Sequence, residues 1–170
     1  MSKKVVAPPA PLPPGVHLTD THTHLYLDDF QDNTNADGCY DAVQRAIDIG
    51  ISHMIFPNVN ASTIAPMKAL AARFPGHIRM AMGLHPTEIV LDTLEDDLAC
   101  VAAELDKGGY IAVGEIGIDL YWDKSFECQQ MKILDTQLDW AERYELPVIL
   151  HCRDGLNQML EVLQGHKRLS

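Results

Sequence analysis

The feature that most restricts the fold of this chain is a rhythm. From Val16 onward, short apolar runs alternate with longer amphipathic stretches. The runs are "GVHLTDTHTHL", "ISHMIFPNV", "IRMAMGLHP", "YIAVGEIGID" and "PVILHCRD", and each reads as a strand. "YDAVQRAIDIG" places Val43, Ala46, Ile47 and Gly50 at helical spacing with a glycine stop. "STIAPMKALAARFPG" is a second helix, ended by Pro-Gly, with Ser62 or Thr63 expected as its N-cap. "TLEDDLACVAAELDKGG" is a third, where Thr93 is followed by Asp96 in a near capping box. "FECQQMKILDTQLDWAERYEL" is a long fourth, with Met131, Leu134, Leu138 and Ala141 on one stripe. "GLNQMLEVLQ" opens a fifth, and Asp154 is placed to cap it.

Strands alternating with helices mean parallel pairing through right-handed crossovers. Two α/β architectures satisfy that pattern: an open doubly wound sheet, or part of a (β/α) barrel. There is no Gly-x-Gly-x-x-Gly after a strand and no Walker motif, so the nucleotide-binding open sheet loses its usual support. The 170 residues suit one domain. The opening "APPAPLPPG" (Ala7 to Gly15) is too rich in proline for helix or central strand. Residues 1–15 are therefore expected as an extended N-terminal extension, and 16–170 as the folded part.

Chemistry concentrates at strand ends, where parallel α/β folds build their sites. Residues two apart in a strand share a face, so Asp20, His22 and His24 are expected on one face of the first strand. Two imidazoles so placed reach one metal ion; the alternative is a pair of histidines hydrogen-bonded to neighbours. In the fourth strand Glu115 shares a face with Ile111, Val113 and Gly117. A carboxylate pointing into a core needs a metal, a proton or a cationic side chain. Gly114 and Gly117 permit close backbone approach. In the fifth strand Ile149, His151 and Arg153 share a face, with His151 a third imidazole and Arg153 a bidentate donor suited to phosphate or carboxylate. Cys152 is expected on the other face as a small buried side chain. His85, after the third strand, either touches substrate or bonds within its loop. His53 is expected to pack, and His17, His77 and His166 to lie at the surface or in loops. Asp119, Tyr121 and Trp122 either line a pocket mouth or pack their loop. Together these N/O donors suit zinc, manganese, nickel or iron, and a carboxylate bridging two ions gives metal-assisted hydrolysis.

Charge restricts the function classes. Lys and Arg number 13 against 24 Asp and Glu, a net charge of −11, which opposes passive binding to nucleic acid or an anionic membrane. It does not oppose an enzyme that meets phosphate through bound metal. No apolar run approaches the ~20 residues of a membrane span. The four cysteines show no Cys-x-x-Cys spacing and no secretory signal is visible, so the expected compartment is the cytoplasm.

In order along the chain, "DTHTHL", "GLHP", "GEIGID", the helix carrying Gln130 and Gln137, and "LPVILHCRD" resemble the N-terminal part of the TatD family of metal-dependent hydrolases (deoxyribonucleases). The resemblance runs from about Val16 to about Leu163. It implies a TIM-type (β/α) barrel with one or two divalent ions, among which Zn, Mn, Mg, Ni and Fe are not distinguished. By the family pattern His22 and His24 hold one metal, Glu115 bridges and serves catalysis, His151 binds the other, and His85 and Arg153 meet the substrate phosphate. It also implies phosphoester hydrolysis, with DNA as substrate and a 3'-5' exonuclease mode. Another metal phosphoesterase, an amidohydrolase or a non-catalytic truncated chain are the alternatives. A full barrel needs roughly 250 residues and eight strands. An incomplete barrel of about five β/α units is therefore expected. The family's further histidine after the sixth strand and aspartate after the eighth lie outside it, and its open sheet edge invites self-association.

Overall fold

A computed structural model describes residues 12–30 and 37–168. Residues 7–11 of the proline-rich run therefore lie outside the described residues, while Leu12 packs its side chain over Gly50 at the end of the first helix. Five strands form one parallel sheet: β1 (Leu18–Asp20), β2 (Ile51–Pro57), β3 (Ile78–Met82), β4 (Ala112–Asp119) and β5 (Val148–Arg153). Five helices alternate with them: α1 (Gly38–Asp48), α2 (Ile64–Arg73), α3 (Leu94–Lys107), α4 (Glu127–Tyr144) and α5 (Leu156–Leu163).

Strand order decides between the two architectures. The order is β1-β2-β3-β4-β5, with every neighbouring pair parallel. A doubly wound sheet reverses direction at a switch point. Here each right-handed crossover steps the same way, which puts every helix on one face and curls the sheet. The fold is five β/α units of a TIM-type barrel, a curled half-barrel.

Helix and strand side chains share one core. Met54, Phe56, Met82, Val113, Ile116 and Ile118 from strands pack with Val43, Met67, Val101, Leu134 and Leu138 from helices. All eight residues of β4 are buried, the pattern of a strand covered on both faces. The expected close approach at its glycines is present. A Cβ on Gly114 would lie 2.7 Å from Cβ of Ile149, and one on Gly117, at φ +149, only 1.9 Å from the His151 carbonyl oxygen. Glycine thus lets β5 press against β4 on either side of Glu115.

Several local expectations differ. β1 ends at Asp20, so His22 and His24 follow the strand and do not lie within it. The chain still tracks β2, because the Thr23 N–H donates to the Ile55 carbonyl. Thr63 occupies the N-cap position of α2, as expected, but its side chain makes no cap bond there. A 3-10 turn, Ala61–Thr63, precedes α2, and Asn60 caps that turn in a reciprocal box with Thr63. Thr93 makes no cap bond to the backbone; its hydroxyl donates to Asp97 instead. Asp154 sits at φ 55 and leaves Gly155 at the N-cap of α5, with no side-chain cap. Cys152 is exposed, because β5 is an edge strand of the described sheet. His53 is exposed and bonds Ser52, whereas His166 is buried against Asp135 of α4. No described helix is long and apolar enough to cross a membrane.

Candidate metal centre

Glu115 sits at the middle of the site, 6% exposed in the centre of β4. Its two oxygens face different histidines. Oε2 lies 2.9 Å from Nε2 of His22 and 3.3 Å from Nε2 of His24. Oε1 lies 3.1 Å from Nδ1 of His151 and 3.6 Å from Nε2 of His85. The carboxylate therefore belongs to two donor groups, His22–His24–Glu115 and His85–Glu115–His151, each with ligand atoms within 4.8 Å of one another.

Hydrogen bonds on the far sides of the rings select the tautomers. The buried Tyr26 hydroxyl donates to the Pro57 carbonyl, so it accepts from Nδ1–H of His24 at 2.9 Å. That leaves the Nε2 lone pair of His24 facing Glu115 and, at 3.1 Å, Nε2 of His22. Asp119, 3% exposed at the end of β4, accepts from Nε2–H of His151 at 2.8 Å and leaves Nδ1 facing Glu115. His85 is held the other way. Its Nδ1 accepts from the Thr87 N–H at 3.2 Å, so Nε2 carries the proton and presents a donor. That orientation suits a contact with a substrate oxygen better than ligation.

Lone pairs of neutral imidazoles and a carboxylate converging at 3 Å repel unless positive charge lies among them. Burial works against the charge on Glu115, yet its contacts with His151, His24 and His85 hold its carboxyl far below the usual carboxylate range. The same contact with Glu115 pushes the His151 imidazole up, with burial opposing and Asp119 assisting. Burial also raises the Asp119 carboxyl, but the bonds from His151 and the Tyr121 N–H outweigh it and leave it lowered. A divalent ion at each group would supply that positive charge, and N/O donors of this kind fit such ions.

Of the expected site residues, His22, His24, Glu115, His85 and His151 converge. Arg153 is not among them; its guanidinium lies over the Tyr121 ring, 3.6 Å from the centroid. Tyr26 and Asn58, and the partners of Gln130 and Gln137, become visible only in three dimensions. Tyr26 continues the alternation of His22 and His24, which is the signal that would have found it. Asn58, fully buried after β2, donates to the Gly83 carbonyl, and its own carbonyl accepts from the Glu115 N–H. Gln137 and Gln130 of α4 pin two strand ends by paired amide bonds: Gln137 to both backbone groups of Leu84, next to His85, and Gln130 to both of Asp119.

A family model described as TatD related DNase matches residues 19–169. The chain belongs to the TatD family. Among the TatD-family relatives, YjjV of Escherichia coli (strain K12), described as an uncharacterized metal-dependent hydrolase, is 36% identical over 154 residues, which are 86% of this chain and 55% of YjjV. A protein of Erwinia billingiae named 3'-5' ssDNA/RNA exonuclease TatD is 31% identical over 121 residues, 71% of this chain and 46% of that protein. A crystal structure of YjjV, described as a TatD homologue, has the same fold at TM-score 0.71 and 34% identity, covering 87% of this chain and 55% of that one. The chain thus spans about half the length of the relatives it matches.

Proposed function

We propose that this chain carries the metal-binding part of a phosphoester hydrolase that acts on nucleic-acid ends, as a 3'-5' exonuclease. The observation that carries the reading is the division of Glu115, one oxygen to His22 and His24 and the other to His151 and His85. A carboxylate shared in this way suits two ions side by side. Bound divalent ions supply Lewis-acid polarisation of the phosphoryl group and an activated water. His22, His24, Glu115 and His151 would hold them. Tyr26 and Asp119 keep Nε2 of His24 and Nδ1 of His151 turned inward. His85 presents an N–H donor toward the same space, suited to a phosphoryl oxygen. Arg153 adds a fixed cation, which offsets locally a chain of net charge −11. The relative named as an ssDNA/RNA exonuclease supports the choice of substrate class.

The test is a paired measurement on the purified chain. Manganese or zinc is titrated calorimetrically, and a 3'-labelled single strand is offered as substrate. Two bound ions, one lost in His22→Ala and both weakened in Glu115→Gln, with mononucleotide release that falls in parallel, is the expected result. Metal-dependent hydrolysis of a small phosphomonoester or an amide, with the single strand left intact, would move the assignment to another metal hydrolase. A metal ratio near zero would end it for this chain.

A further inference from the structure

Beside the candidate metal centre, the loop after β4 exposes two aromatic rings. Tyr121 is 52% exposed and Trp122 is 73% exposed, in a chain whose aromatic content is only 6%. A large apolar side chain held in water is the kind of exposure that needs a reason. The loop is anchored at both ends. Asp119 accepts from the Tyr121 N–H at 3.1 Å, and Asp123 accepts from the Ser125 N–H at 2.8 Å. The rings meet edge to face, with centroids 4.8 Å apart. Arg153 lies over both, at 3.6 Å from the Tyr121 centroid and 5.1 Å from that of Trp122. A guanidinium stacked by its face keeps its in-plane N–H donors available for an anion.

Trp122 also forms one wall of a cavity of about 290 Å³, with Pro86, Ile89 and Phe126 as its other apolar walls. That volume sits at the lower end of the roughly 300–1,000 Å³ typical of small-ligand sites. It suits one flat heterocycle. The cavity lies beside the metal centre: its lining includes Pro86, which follows His85, and Asp119, which holds His151. Its buried polar groups are already engaged. Both ends of the Gln130 amide bond the Asp119 backbone, and the Asp119 carboxylate serves His151 and Tyr121. The cavity therefore offers faces for stacking and few edges for reading base identity.

We propose that the Tyr121–Trp122 loop, Arg153 and this cavity form a stacking subsite for one unpaired nucleobase beside the scissile phosphate, with Arg153 meeting the adjacent phosphate. The inference rests on the nucleic-acid reading given above and adds one property to it, a low dependence on base identity. The subsite accounts for the single-stranded end which that reading already takes, because a paired base cannot enter. The choice of base matters little, because stacking accepts any base.

The test uses the intact chain, manganese and two labelled single strands of equal length with phosphorothioate linkages to slow cleavage. One carries normal bases and the other tetrahydrofuran abasic sites throughout. Binding is followed by fluorescence anisotropy for the native chain, Trp122→Ala and Trp122→Phe, with thermal melting as the check on folding. The native chain is expected to prefer the base-bearing strand by about tenfold. Trp122→Ala is expected to bring that preference close to one while leaving abasic-strand binding unchanged, and Trp122→Phe to keep most of it. Firm and equal binding of both strands by the native chain overturns the subsite and leaves the phosphoester reading standing. Equal weakening of both strands in Trp122→Ala also overturns it. Failure to bind either strand overturns the subsite and the nucleic-acid reading together.

Discussion

Tyr26 and Asp119 show how much of this site depends on single hydrogen bonds behind the ligands. Each fixes which nitrogen of a histidine faces Glu115, and such outer partners typically change metal affinity by ~10–100-fold. Tyr26→Phe is therefore expected to weaken the ion held by His22 and His24 about tenfold or more, and Asp119→Asn the ion held by His151. Calorimetric titration separates the two, because each variant should shift a different binding step. Tyr26→Phe also removes the bond to the Pro57 carbonyl, which should lower unfolding stability by about 1 kcal/mol. Two unshifted binding steps would rule out both roles. At this scale the sequence was readable where parity applied. His22 and His24, Glu115, and His151 with Arg153 each sit on a two-residue alternation at a strand or its extension. Tyr26 obeys the same alternation but reads as a core aromatic, since nothing local says that its hydroxyl meets His24. Asn58 is invisible for a stronger reason, as are the partners of Gln130 and Gln137: those partners lie on other strands, and one-dimensional spacing carries no such information. His166 misled in the opposite direction. Three acidic side chains of α4 accommodate it, with Asp135 Oδ1 2.9 Å from its Nε2, so a histidine from a polar tail ends up buried.

At the scale of elements, the helices are tied to one another by a buried charge away from the site. Glu104 of α3 bonds Lys68 of α2 at 2.7 Å, Lys107 at 2.6 Å and the Tyr110 hydroxyl at 2.6 Å. Burial opposes its charge, but the bonds from Lys107, Lys68 and Tyr110 hold the carboxyl at about 2, against an ordinary 4.5. A carboxylate lowered on folding adds stability that is fully present above its unfolded value. That stability is lost as pH falls from about 4.5 toward 2. With Lys68 and Lys107 largely solvated, ~1–2 kcal/mol is a reasonable size after screening. Glu104→Gln is expected to lose that amount at pH 7 and to flatten the stability profile over the acidic window, as measured by urea unfolding at pH 7, 4.5 and 3. An unchanged slope would mean the network contributes nothing. The elements themselves were legible because apolar periodicity is strong over ten or more residues. Their cap bonds were not. Asn60 caps a 3-10 turn ahead of α2, and Thr93 spends its hydroxyl on Asp97, choices set by side-chain geometry that neighbouring Ser and Thr candidates do not reveal.

At the scale of the whole molecule, alternation left an open sheet and a barrel equally allowed, and only the strand order β1 through β5 separates them. The same order leaves β1 and β5 unpaired on their outer sides among the described residues. Along those sides Val16 and Leu18 are 44% and 45% exposed, Leu150 37%, and Leu156 and Leu160 of α5 60% and 48%. Unpaired backbone beside exposed leucines is a template for association with another copy. A net charge of −11 works against it, because two copies repel until salt screens them. The Debye length falls from ~30 Å at 0.01 M to ~8 Å at 0.15 M, so the balance should tip toward association as salt rises. Sedimentation velocity over a tenfold range of protein concentration at both salts is expected to show larger species only in the higher salt. Leu156→Lys with Leu160→Glu, on the exposed face of α5 and away from Glu115, should return the chain to a monomer without altering metal stoichiometry. A single monomeric species at every salt and concentration would mean that the edges of β1 and β5 are already protected by their own twist and charge.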